Sequence, residues 1–197
     1  MKSFDDIFAF SSKADGNGTE DHLLCTATED ELKSFIPHVM SLPYGSRVVE
    51  IGTYSGRSTS VYFQLQKELN LDIHLVDCWN WNAKYAAQIF TGMVIDFFNE
   101  VPFTFHKMIS EQVIPTWNLP IDFLYLDGAH EHPEVDYDFE NWPKFVKSGG
   151  ILAAHDSTWP SVLHCLDKYI RGQGWELIDM AGPHEQWKDR LTIWKKP

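Results

Sequence analysis

The chain has 197 residues, 44% of them hydrophobic, with 28 acidic residues against 16 basic ones and a formal net charge of -12. A surface this negative repels phosphate backbones and anionic bilayers, so nucleic acid and membrane are excluded as expected partners, and neutral or cationic small molecules are favoured. The length suits one well-buried core rather than two.

Cys25, Cys78 and Cys165 are widely spaced and form no C-x-x-C, which argues against a disulfide framework and against zinc-ribbon spacing. The first residues, MKSFDDIFAF, place acids where a secretory leader carries positive charge, and no stretch approaches membrane-spanning length. The expected location is cytoplasmic.

Residues 1–22 read as a flexible lead-in, polar and rich in glycine and serine from residue 11 onward, and residues 23–197 as a single domain. Thr28 and Glu31 form a capping-box pattern ahead of Leu32, Phe35, Ile36, Val39 and Met40 at helical spacing, which predicts a helix over 29–42 and a candidate interface for a homodimer. RVVEIG (47–52) is an apolar strand, followed after a glycine turn by a helix carrying Val61, Tyr62, Leu65 and Leu69. The strand DIHLVD (72–77), a helix over 83–99 and a strand over 103–109 come next. IDFLYLD (121–127) is a strand, and Pro133 suits the first turn of a helix whose apolar stripe is Val135, Phe139, Trp142 and Phe145. GGILAAHD (149–156) is a strand, Val162, Leu163, Leu166, Tyr169 and Ile170 mark a helix, and WELIDMAG and RLTIWKK are two closing strands.

Regular strand and helix alternation implies right-handed crossovers and a parallel sheet covered on both faces. In such sheets ligands bind beyond the carboxyl ends of the strands, near the point where strand order reverses. Four strand ends therefore draw interest together: EIGTYSG, VDCW, LDGAH and AAHDSTW.

In EIGTYSGRST (50–59), Gly52 and Gly56 stand between a strand and a helix, where glycine allows a sharp turn and close approach of a ligand to backbone N–H groups. The spacing is G-x-x-x-G, which departs from the G-x-G-x-x-G dinucleotide fingerprint and disfavours a nicotinamide oxidoreductase. Asp77 ends the second strand 21 residues after Gly56, where a carboxylate would accept hydrogen bonds from ribose hydroxyls. With no P-loop lysine, the pair points to a nucleoside-containing cofactor.

The segments EIGTYSGRS, LVDCW, YLDGAH and GGILAAHD, in this order between about Ser46 and Trp159, resemble the class I S-adenosylmethionine-dependent methyltransferases. The resemblance is to the D-G-x-H, small-molecule O-methyltransferase-like branch, related to macrocin and catechol O-methyltransferases. It implies a Rossmann-like three-layer α/β/α sandwich, with a mostly parallel seven-stranded sheet and a C-terminal antiparallel hairpin. It implies that Glu50, Gly52, Thr53, Tyr54, Gly56 and Ser58 form the methionine end of an S-adenosylmethionine site, with Arg57 beside them. Asp77 would hold the ribose, and Cys78, Trp79 and Ser110 would lie towards the adenine, Trp79 alternatively being core packing. Related metal-dependent enzymes place ligands where this chain has Asp127, His155 and Asp156, which implies Mg or Mn. A histidine at position 155 shifts the preference from magnesium towards manganese, iron or zinc, or removes one ligand.

His130 matches the D-G-x-H histidine and is the candidate general base, an ordinary imidazole titrating at roughly 6.5; its alternative role is to cap the next helix. His132 and Glu134 read as solvated first-turn residues, and Glu134 and Asp136 are favoured there by the helix dipole. Trp159, His184 and Trp187 are candidate walls for the acceptor. The expected function is methyl transfer to oxygen on a sugar, polyol or phenolic metabolite, and the alternative is a non-catalytic cofactor-binding or scaffold protein of the same fold.

Overall fold

The computed structural model describes residues 2–12, 27–80, 83–182 and 190–197. Its strands are β1 (Arg47–Ile51), β2 (Asp72–Val76), β3 (Thr104–His106), β4 (Ile121–Leu126), β5 (Val146–Ala154), β6 (Glu176–Ala181) and β7 (Leu191–Lys195). They form one sheet in the order β3-β2-β1-β4-β5-β7-β6. Neighbours from β3 to β5 run parallel, and β7 inserts antiparallel between β5 and β6. Strand order therefore reverses between β1 and β4, which places the crevice over the ends of those two strands.

The helices are α1 (Phe4–Ser11), α2 (Glu29–Met40), α3 (Thr59–Leu69), α4 (Ala83–Phe97), α5 (Ser110–Val113), α6 (Glu134–Asn141) and α7 (Pro160–Cys165). One hydrophobic cluster joins α1 to α4 to the sheet through Ile7, Phe35, Tyr62, Phe90 and Phe123. A second, on the opposite face, gathers Val113, Phe139, Trp142, Cys165 and Ile170 from α5 to α7 and the turns that follow. β1 and β4 contribute to both clusters, as strands buried on both faces must. No helix among the described residues is long and apolar enough to cross a membrane.

Three departures from the sequence reading have physical causes. Residues 4–11, assigned to the lead-in, form α1, whose N-terminus is a capping box of Ser3 and Asp6 and whose Ile7 is fully buried. The rest of that segment, 13–22, lies outside the described residues. The last strand before the hairpin starts at Val146 rather than Gly149, and the paired glycines sit inside it, Gly149 with φ of 75°. The helix expected over 162–170 is α7 continued by a π turn over Leu166–Ile170.

Candidate functional site

The strand ends β1, β2, β4 and β5 meet at one edge of the sheet, and their backbones are held in unusual conformations there. Tyr54, Trp79 and Asp156 adopt positive φ of 45°, 50° and 50°. Left-handed backbone at non-glycine residues survives where the surroundings over-determine it, and it concentrates at functional sites. Gly52 (φ 87°) abuts the other arm of the crevice, since a Cβ there would lie 1.9 Å from the Asp127 carbonyl oxygen. Gly56 (φ 91°) is covered by α4, where a Cβ would meet Met93 Cε and Phe90 Cδ2 at 2.7 Å. Both glycines are thus required by close packing of the chain on itself.

Glu50 is fully buried at the end of β1 and accepts hydrogen bonds from Ser58 Oγ and, at 2.5 Å, from Thr59 Oγ1. It ties the strand to the first turn of α3 and so shapes the loop from beneath. Burial, against the opposing effect of those two hydroxyls, pushes its pKa up to about 8. Thr53 and Ser58 are buried with it. Asp77 faces the same loop from β2: its Oδ2 accepts the Tyr54 N–H at 2.7 Å and its Oδ1 the Trp79 N–H at 2.6 Å. Burial raises its pKa, and the backbone donors of Tyr54, Trp79 and Thr53 pull it back.

Cys78 lies half-buried between them. Trp79 donates its indole N–H to the Tyr54 carbonyl at 3.0 Å and stacks on Phe105 at 4.5 Å, so the ring is held by the protein as packing. The Ser110 hydroxyl accepts the Trp142 indole N–H at 2.6 Å and bonds the buried carboxyl of Asp138.

The densest cluster lies beyond β4 and β5. His130 Nε2 stands 2.8 Å from Asp156 Oδ2 and 3.9 Å from Asp127 Oδ1. His155 approaches the same carboxylates from the buried side, its Nδ1 3.1 Å from Asp127 Oδ1 and 3.2 Å from Asp156 Oδ2. Its Nε2 lies 3.3 Å from Oε2 of Glu31, which is fully buried in α2. His130 Nε2 and His155 Nδ1 are buried without a well-aligned hydrogen bond, so these are charge contacts rather than directed bonds. Burial alone would lower the pKa of His130, but contact with Asp127 and Asp156 outweighs it and raises the value to about 10. His155 is likewise held well above the ordinary imidazole value, its burial outweighed by the charges around it. The two carboxylates therefore favour the protonated form of the His130 ring in this arrangement.

Ligand atoms of Asp127, His130 and Asp156 lie within 4.8 Å of one another, the spacing of groups that share one cation. His155 stands behind this trio rather than in it. Trp159 packs 5.7 Å from the His130 ring and donates its indole N–H to Glu131 at 3.2 Å. Trp159, Glu131, His132, Pro160 and Ser161 line a cleft of ≈ 420 Å³ beside His130. Ser161 donates its hydroxyl to the His130 carbonyl, fixing the loop. His184 and Trp187 lie outside the described residues.

Two residues of this region escape sequence reasoning as site residues. Glu31 reads only as a helix cap, since nothing in the order of residues brings it to a histidine 124 positions away. Asp138 carries a legible signal: it shares the buried stripe of α6 with Val135 and Phe139, and burial pushes its pKa up to about 7.

A profile of the methyltransferase domain matches residues 49–157, which holds the glycine loop, Asp77, Asp127, His130 and Asp156 together. The chain belongs to the methyltransferase-domain family. The chain has the Rossmann-like methyltransferase fold, as two solved structures illustrate. SAH-bound PaMTH1 of Podospora anserina superposes with a TM-score of 0.67 at 13% identity, over 98% of this chain and 88% of that one. The O-methyltransferase TomG of Streptomyces achromogenes, in complex with SAM, gives 0.63 at 13% identity, over 100% and 92%. In sequence, y4gI, an uncharacterized protein of Sinorhizobium fredii, is 26% identical over 118 residues, 56% of this chain and 13% of that protein. The chain thus spans only a small part of that relative's length.

Proposed function

We propose that this protein transfers the methyl group of S-adenosylmethionine to an oxygen of a small neutral or cationic acceptor such as a sugar, polyol or phenol. The observation that carries this reading is the convergence of Asp127, His130 and Asp156 beyond β4 and β5, in backbone contact with the glycine loop through Gly52 and Asp127. TomG and PaMTH1 support the choice of cofactor, and TomG the choice of oxygen as acceptor atom. The formal charge of -12 supports a small acceptor over nucleic acid.

The residues present fit the cofactor. Asp77 organises the loop through backbone N–H groups, and a carboxylate with about four lone-pair sites keeps capacity for ribose hydroxyls. S-adenosylmethionine supplies an electrophilic sulfonium methyl, so the protein's work is to align the acceptor and ease the loss of its proton.

The trio also fits a divalent cation, because two carboxylates and an imidazole nitrogen converge without aligned hydrogen bonds among them. Asp127, His130 and Asp156 would hold it, with His155 and Glu31 orienting the carboxylates from behind. Bound there, Mn²⁺, Mg²⁺ or a similar ion would lower the pKa of an acceptor oxygen. As a ligand His130 would leave the easing of proton loss to the cation; without the cation Asp127 and Asp156 favour its protonated form, and it serves as base only where those carboxylates turn to another partner.

Calorimetry with S-adenosylmethionine and S-adenosylhomocysteine is expected to give saturable heat. No heat and no thermal stabilisation would overturn the reading. His130→Ala is expected to retain cofactor affinity and to lose roughly 10²-fold or more of turnover, scored as S-adenosylhomocysteine release across a panel of phenols and polyols.

A further inference from the structure

A second group of ligand-type side chains lies outside the methyl-transfer trio. Cys165 ends α7 fully buried in an otherwise apolar cluster, yet its Sγ stands 3.7 Å from Asp136 Oδ1. Asp136 Oδ2 contacts His132 Nδ1, and ligand atoms of all three residues lie within 4.8 Å of one another. His164 sets its ring edge-on to that of His132 at 5.9 Å, which brings a second imidazole to the rim. The set draws on two elements: His132 and Asp136 bracket the start of α6, and His164 and Cys165 close α7.

We propose that His132, Asp136 and Cys165 form a second cation site, selective for a borderline divalent ion of the zinc class. A sulfur donor beside an imidazole disfavours magnesium and calcium, which take oxygen ligands, and suits zinc or cobalt in tetrahedral coordination. His164 or a solvent molecule supplies the fourth position. An ordinary helix-start ion pair accounts for His132 with Asp136, but it gives no reason for the carboxylate's other oxygen to face a buried thiol.

Binding replaces the Cys165 S–H bond with a sulfur–metal bond and releases the proton to water. Until then burial, with the Asp136 charge beside it, holds the thiol protonated to about pH 12. Ions reach the site from the ≈ 420 Å³ cleft, which His132 lines. Lys168 Nζ, 4.0 Å from Asp136 Oδ1, is the resident positive charge with which an incoming cation competes. Filled, the site clasps the start of α6 to the end of α7, the helix whose first residues, Pro160 and Ser161, line that cleft with His132.

Co²⁺ titration of the full chain under reducing conditions tests this without reference to activity. A saturable thiolate-to-cobalt charge-transfer band is expected at one equivalent, absent in Cys165→Ser and retained in Asp156→Asn. Because Cys165→Ser replaces a buried side chain, His132→Ala and Asp136→Asn at partly exposed positions carry the same test. Each should weaken Co²⁺ binding at least about tenfold, the loss that removing even an outer-shell partner produces. Lys168→Gln should tighten it. No band in the native chain, a band that survives Cys165→Ser, or His132→Ala and Asp136→Asn that bind Co²⁺ as the native chain does would overturn the proposal. Loss of the band in Asp156→Asn would show that it depends on the other cluster and overturn the proposal equally.

Discussion

Glu50 and Gly52, two residues apart, anchor the crevice by different physics. A carboxyl whose pKa rises on folding, from 4.5 to about 8 here, favours the folded state fully below its unfolded value. That preference is lost as pH climbs towards the folded value, so stability from this group declines between about pH 4.5 and pH 8. Glu50→Gln keeps partners for Ser58 and Thr59 without an ionisable group. Its urea midpoint is therefore expected to fall less than that of the native chain across this window. Gly52→Ala is expected to cost about 3 kcal/mol or more in urea unfolding, since left-handed backbone alone costs an alanine roughly 1–2 kcal/mol. The remainder comes from forcing the ends of β1 and β4 apart, because the new Cβ would lie 1.9 Å from the Asp127 carbonyl. From sequence these glycines read as cofactor contacts; their immediate cause is the approach of chain to chain, which no local pattern encodes.

At the scale of elements, α2 is coupled to the site through its own cap. Glu31 Oε2 accepts the Thr28 N–H at 2.6 Å and the Thr28 hydroxyl at 2.9 Å, and the same oxygen meets His155. Glu31→Ala removes the reciprocal half of the capping box and one of the three carboxylates around His155, leaving Asp127 and Asp156 beside it, so chemical denaturation should show a loss of about 1.5–3 kcal/mol. Thr28→Ala, which removes only the capping hydroxyl, should cost about 1 kcal/mol. The capping box was legible as a helix start because its spacing is local. Its second duty was not, because α2 and β5 are related only by the three-dimensional fold. The strands were legible to within a few residues, β1, β2 and β4 each being a short apolar run closed by glycine or acid. Asp127 and Asp156 were legible as partners for the same reason: parallel neighbours β4 and β5 end side by side, with Leu126 paired to Ala154. Helix α1 was overlooked although Ser3 and Asp6 spell its cap, because the polar run that follows it dominates the composition of that window.

For the molecule as a whole, the sheet shares its strands between the two clusters, and Val48 and Val49 on adjacent positions of β1 face opposite cores. Unfolding followed by tryptophan fluorescence and by far-ultraviolet circular dichroism is therefore expected to give coincident transitions. S-adenosylhomocysteine should shift both together, by about 2.7 kcal/mol at a hundredfold excess over Kd. Separate midpoints would show that the two faces fold as independent units. The order of the last three strands also bears on how the protein is made. β7 follows β6 in sequence but lies between β5 and β6, and β6 has no other strand partner among the described residues. As the chain leaves the ribosome, β6 emerges with Leu177, Ile178 and Met180 exposed and must wait for Leu191–Lys195 to follow. Until then the outer edge of β5, the strand that carries His155 and Asp156 at its end, stays open to pairing with any other nascent chain.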